Sequence, residues 1–267
     1  MTEKDDLSMP YTPEQIAAFV GAAAWLPQIG AWAYKAIRKP TIVIIPDTQV
    51  ELGYTTLGPI FNVRIAVSAD THDVLLDNFS VEVKHESGDT KIFRWKGTKE
   101  TLNQIRDPSG ILQTVEKDET GIALKVRPDA LVDKLFKFQD PKFGSSIKPL
   151  IDEANDHHEF LKTSGSDVRQ SLLRSDKFHA LLNFYRSDFS WRSGSYVAKF
   201  YCKAIHTKIR QSPTEFHFEL SPQNIELLRD NFSKFSPYME WQLFDAREKL
   251  APEPIFNWLY PVLTRRE

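Results

Sequence analysis

Ile60-Phe61-Asn62-Val63-Arg64-Ile65-Ala66-Val67 decides the fold class, because Phe61, Val63, Ile65 and Val67 fall on one side of an extended chain and Asn62, Arg64 and Ala66 on the other. A strand with one apolar face and one wet face belongs in an antiparallel sheet that covers a core on one side. The same period recurs downstream. Phe79, Val81 and Val83 alternate with Ser80, Glu82 and Lys84, ahead of the turn residues Glu86-Ser87-Gly88-Asp89. Phe93 and Trp95 then oppose Ile92, Arg94 and Lys96, and Ile122, Leu124 and Val126 share one face of 121–126. Upstream, 41–45 is a β-branched run that Pro46-Asp47 is expected to stop. Two later strands are expected at 196–205 and 215–220. The first gathers Tyr196, Ala198, Phe200 and Cys202; the second turns Phe216, Phe218 and Leu220 inward and His217 and Glu219 outward.

Between these groups the period changes. Residues 129–138, 147–162, 167–173 and 175–185 carry apolar side chains three and four apart, which predicts helices separated by Pro141, Gly144 and Ser164-Gly165. Ser221-Pro222-Gln223 opens a further short helix, with a serine cap followed by proline. Strands, helices and strands in that order predict an α+β chain: mainly an antiparallel β-sandwich with a helical insertion at about 128–190. Its texture is immunoglobulin-like, without the Cys…Trp…Cys spacing of immunoglobulin domains.

Composition sets wide bounds. The 267 residues are 41% hydrophobic and 26% charged, with a formal net charge of −2. That balance lacks the global positive field of a general nucleic-acid binder. One cysteine permits no internal disulfide. The chain divides into an N-terminal apolar segment, 1–38, and the strand-rich remainder, 39–267.

Residues 15–34 run without a formal charge, and as a helix they would extend roughly 30 Å, near the hydrocarbon thickness of a bilayer. Thr12-Pro13-Glu14-Gln15 reads as a capping box with proline at the first helical position. Lys35, Arg38 and Lys39 close the segment, and Trp25, Trp32 and Tyr34 could sit at headgroup level. Insertion is marginal. Ile16, Phe19, Val20, Leu26 and Ile29 together contribute roughly −1.5 to −3 kcal/mol, which must offset Pro27, Gln28 and two glycines. Four settings compete: a spanning or embedded helix, a helix lying on the membrane, an Ala-rich helix buried against this chain or a partner subunit, and a secretory signal. The acidic stretch before it disfavours the last. Ala17-x-x-x-Gly21 and Ala18-x-x-x-Ala22 would allow close helix approach. If the helix spans, its basic flank places the bulk of the chain on the cytoplasmic side, and the single cysteine agrees with that side.

The expected membrane or partner contacts are therefore Phe19, Trp25, Ile29, Trp32, Tyr34, Lys35, Arg38 and Lys39, within 12–37. Exposure of the large apolar members favours lipid or a partner, a second copy of the chain among them; coverage by the apolar patch 255–263 favours a buried helix.

Chemistry is sparse. Asp152, Glu153, Asp156, His157, His158 and Glu159 form the densest set of metal-ligand side chains and carry the alternative reading, a soluble metal-dependent enzyme. A solvated helix face explains them more simply. His85 is expected at the surface, and Cys202 as a small buried side chain. Lys91, Arg94, Lys96 and Lys99 flank Trp95, but alternation puts Trp95 on the opposite face from Arg94 and Lys96, which argues against nucleic acid. No catalytic set, cofactor or metal site is assigned. The expected function is a non-enzymatic, membrane-associated binding or sensing module, or else an accessory subunit of a larger complex.

Overall fold

A computed structural model describes residues 12–106, 112–164, 167–211, 214–245 and 252–265. Helix α1 (Pro13–Ile37) leads into β1 (Thr41–Thr55), β2 (Gly58–Ala69), β3 (Val74–His85), β4 (Thr90–Arg106), β5 (Leu112–Thr120), β6 (Leu124–Val126) and β7 (Val132–Gln139). Helices α2 (Pro141–Thr163), α3 (Val168–Leu173) and α4 (Asp176–Ser187) follow, then β8 (Gly194–Ala204), β9 (Arg210–Gln211) and β10 (Glu215–Leu220). Helices α5 (Pro222–Arg229) and α6 (Phe232–Glu240), a π-helical turn at Trp241–Asp245, β11 (Trp258–Leu259) and β12 (Thr264–Arg265) complete the chain.

The described residues form a mixed α+β fold in which twelve strands make one sheet; nine of them run in the order β11-β1-β2-β7-β4-β3-β8-β10-β12, while β5 pairs with β4, β6 with β3 and β9 with β1. Both ends of that order belong to the same short segment, 258–265. One side of it pairs with β1 through Leu52↔Leu259, Gly53↔Trp258 and the bridge Gln49↔Val262. The other side pairs with β10 through Phe216↔Arg265 and His217↔Thr264. Every pairing around this circuit is antiparallel. The sheet thus closes on itself into a barrel whose interior is the right width for side chains to fill.

A two-sheet sandwich was expected, and the difference has a physical origin. Alternation reports that one face of each strand is dry; it does not say whether the facing wall is a second sheet or the same sheet curled round. Register breaks between Pro46 and Val50, Asp77 and Ser80, and Trp95 and Gly97 let long strands bend. The inward residues are those the period selected. Phe61, Val63, Ile65, Val67, Phe79, Val81, Val83, Phe93, Ala198, Phe200, Phe216 and Phe218 are all buried. Phe61 lies at the centre, with ring centroids of Phe93, Phe138, Phe200 and Phe218 at 5.9–6.5 Å.

The helical insertion plugs one end of the barrel. Asp140 and Ser175 cap α2 and α4 by accepting backbone N–H bonds. Phe143 of α2, Tyr185 of α4 and Phe189 just beyond it come against Tyr54 at the end of β1, and Phe235 of α6 joins them. The Tyr54 hydroxyl donates to Tyr185 O at 2.6 Å, and the Tyr185 hydroxyl donates to Thr56 O at 3.1 Å.

Several expected elements differ. Residues 132–139 are strand β7 rather than helix, because pairing with β2 and β4 on its two sides satisfies its backbone and buries Phe136 and Phe138. A short apolar run cannot settle that choice by periodicity alone. Strand β1 passes through Pro46, whose missing N–H falls where its ladder with β2 is interrupted. Ile122 is 80% exposed, since only 124–126 joins the sheet.

Candidate functional site

Helix α1 forms as its cap and composition require, and most of its described side chains face away from the protein. Trp25, Ile29 and Trp32, spaced i, i+4 and i+7, make one row along it, and they are 63%, 56% and 73% exposed. Leu26 and Ile37, also exposed, widen that row on one side. Ala24, Gln28, Ala31 and Arg38 run down the other. Tyr34 is exposed too, with the Arg38 guanidinium 5.9 Å from its ring centroid. The row is thus flanked by aliphatic side chains on one side and by small or polar ones on the other, and Tyr34 lies opposite it, so the helix is apolar on more than one face. The side chains of Phe19 and Lys35 lie outside the described residues. Among the described residues no helix is long and apolar enough to cross a membrane.

The root of α1 is fixed to the unplugged end of the barrel. Arg38 pairs with Asp70 at 3.2 Å, and Thr41 N donates to Asp70 Oδ1 at 2.7 Å. Partial burial raises the Asp70 pKa, but the Thr41 hydrogen bonds and the Arg38 charge outweigh it, so the carboxyl titrates below its ordinary value. Arg210 N donates to Pro40 O at 2.8 Å, and Thr41 pairs with Arg210 in parallel. Gln211 then ties β9 to β8, its Nε2 donating to Phe200 O and its Oε1 accepting from Cys202 N.

The patch 255–263 does not cover this helix. Leu259 and Leu263 point into the barrel, while Ile255, Tyr260 and Val262 are exposed. Coverage of α1 by this patch was the alternative that would have made it a buried helix; the patch instead supplies the strand segment that completes the barrel.

The acidic and histidine side chains of α2 do not converge. Asp152 pairs with Lys148 at 2.8 Å, Glu153 with Lys177 at 2.6 Å and Glu159 with Lys162 at 2.7 Å. His157 stacks on Phe160, and His158 is buried edge-on against Phe244. Among the described residues no group of three or more His, Cys, Asp or Glu side chains is placed to hold a metal ion. In the basic stretch, Lys91 pairs with Asp140 at 3.2 Å and Lys99 with Glu116, leaving Arg94 and Lys96 exposed.

His85, expected at the surface, is buried. Its Nδ1 lies 2.8 Å from Ser87 Oγ and its Nε2 3.1 Å from Ser193 O, and its ring packs on Tyr196. The partners lie 2 and 108 residues away in sequence, so only the second was beyond local inference. Cys202 is buried as expected, and burial, with Asp77 adding to it, pushes its thiol up to about 12.

One cleft was not legible in the sequence. It has a volume of about 460 Å³, lies along the barrel seam, and is lined by His217, Glu219, Asn224, Tyr260 and Thr264. The buried Nε2 of His217 has no hydrogen-bond partner there. Compared with protein-family models, curated proteins and solved structures, the chain matches none.

Proposed function

We propose that the protein is a non-enzymatic, membrane-associated binding module that lays α1 along a lipid surface and holds its barrel beside it, with the bulk on the cytoplasmic side. The exposed row Trp25, Ile29 and Trp32 carries the reading. Large apolar side chains in one contiguous row mark a surface that is covered in use. Two aromatic rings with a basic flank suit the headgroup boundary rather than water. The ion pairs and ring contacts of the α2 acids and histidines support a structural role for that cluster. The cytoplasmic side is supported by the single cysteine, which permits no internal disulfide.

Vesicle flotation of the full chain tests it. The protein is expected to rise with phospholipid vesicles, and Trp25→Ser with Trp32→Ser to remain at the bottom of the gradient. A wild-type chain that never floats, or a double variant that floats equally well, overturns the proposal. A stable dimer in place of flotation would hand the helix to a second copy.

A further inference from the structure

Four links meet at the end of the barrel that carries α1: 38–40, 70–73, 127–131 and 205–209. The strand registers bring them together, with Ile42 opposite Ala69, Val67 opposite Val132, Val74 opposite Val126, and Ile205 N donating to Leu75 O at 2.9 Å. The charged groups on these links or within two residues of them are Arg38, Lys39, Lys125, Arg127, Lys203, Lys208 and Arg210, against Asp70, Asp73, Asp129 and Asp133. Each carboxylate is already engaged: Asp70 by Arg38 at 3.2 Å, Asp73 by Lys125 at 2.7 Å, Asp129 by Arg127 at 3.9 Å and Asp133 by Arg64 at 2.8 Å. Besides Lys203 on β8, Lys39, Lys208 and Arg210 remain at the β1–β9 pairing, all exposed and without an acidic partner among the described residues.

These three cations are gathered by the fold. The parallel pairing of β1 with β9 sets Arg210 beside Thr41. Two residues back along each chain stand Lys39 and Lys208. The cluster therefore sits at the root of α1. Gln211, clamped to Phe200 and Cys202, fixes the position of β9.

We propose that Lys39, Lys208 and Arg210 form a cationic cradle that makes the protein select membranes with negatively charged headgroups. This rests on the reading of α1 as lipid-facing. Aromatic insertion alone does not distinguish neutral from anionic lipid, whereas unpaired cations held within a Debye length of the surface do. Each is worth about fivefold in partitioning at low salt, so the three together give about a hundredfold preference.

The test compares binding of the full chain to vesicles of phosphatidylcholine and to vesicles of phosphatidylcholine mixed with phosphatidylserine. The wild type is expected to prefer the anionic vesicles by about a hundredfold, an advantage that shrinks as salt is raised. The triple variant Lys39→Gln, Lys208→Gln, Arg210→Gln is expected to lose the preference and keep its residual binding to neutral vesicles. A control with the same charge change on the barrel wall, Lys84→Gln, Arg94→Gln, Lys96→Gln, is expected to keep the preference. Equal binding of the wild type to both vesicles, or equal loss in both triple variants, overturns the cradle and leaves the helix reading intact. Binding to neither vesicle overturns both.

Discussion

Replacing Asn231 by alanine is expected to loosen the seam that closes the barrel. Asn231 is fully buried at the head of α6, and its side chain caps nothing in its own helix. Instead its Nδ2 donates to Tyr54 O at 3.1 Å and Asn257 O at 3.0 Å, and its Oδ1 accepts from Asn257 N at 2.7 Å. One side chain thus ties the end of β1 to the chain entering β11. Alanine would leave two carbonyls and one N–H without partners, each costing about 1–3 kcal/mol where water cannot reach. Asn257 is partly exposed, so water recovers some of that cost. The expected loss is about 3 kcal/mol, or a fall in Tm of about 6–12 °C for a domain of this size. Asn231→Asp should cost at least as much, since it turns a carboxylate oxygen toward two carbonyl oxygens. Urea unfolding followed by circular dichroism gives the stability, and hydrogen exchange localises the damage to 258–265 and the adjoining β10. A loss below about 1 kcal/mol, within the range of ordinary surface substitutions, would refute the seam as described.

Further outcomes follow from single sites. Gly58 adopts φ +79° in the β1–β2 turn, and a Cβ there would fall on the Phe143 ring, so Gly58→Ala should destabilise by more than about 1 kcal/mol in the same urea assay. Cys202 should react with a thiol reagent far more slowly in the folded than in the urea-unfolded protein; equal rates would show that β8 does not bury it. His158 is held below its ordinary pKa of 6.5 by burial, with Lys162 adding to the effect and Glu159 opposing it. The unfolded chain then takes up the proton first, so stability is fully present above about pH 6.5 and falls as the pH drops toward the folded-state pKa. Wild type and His158→Gln compared across that window should differ in slope, the variant being flatter.

Much of the barrel was legible because a period of two is a direct consequence of strand geometry. Phe61 through Val67, Phe79 through Val83 and Phe216 through Leu220 all bury the faces the alternation selected. Closure was not legible. It depends on 258–265 reaching two strands more than forty residues away, through short pairings that carry little periodic signal. Strand β7 was lost for a related reason: Leu131, Leu135 and Phe138 are spaced as on a helix, and only its two neighbours make it extended. At the helix site, exposure of Trp25, Ile29 and Trp32 was anticipated as a possibility. The cationic cluster was half visible, with Lys39 in view and Lys208 and Arg210 hidden until β9 paired with β1. The seam cleft had no sequence signal, since His217, Asn224 and Tyr260 meet only once the barrel has closed.

The most direct test of the account uses the burial of Cys202, which leaves an introduced cysteine as the one reactive thiol. Single cysteines at Trp25, Ile29 and Trp32, and others on the opposite side at Ala23, Pro27 and Gly30, would each carry an environment-sensitive fluorophore, read before and after adding anionic vesicles. The account predicts blue-shifted emission at 25, 29 and 32 and unchanged emission at 23, 27 and 30. A blue shift at all six would describe a helix immersed in the bilayer, and no shift at any would show that α1 does not meet lipid; either result contradicts it.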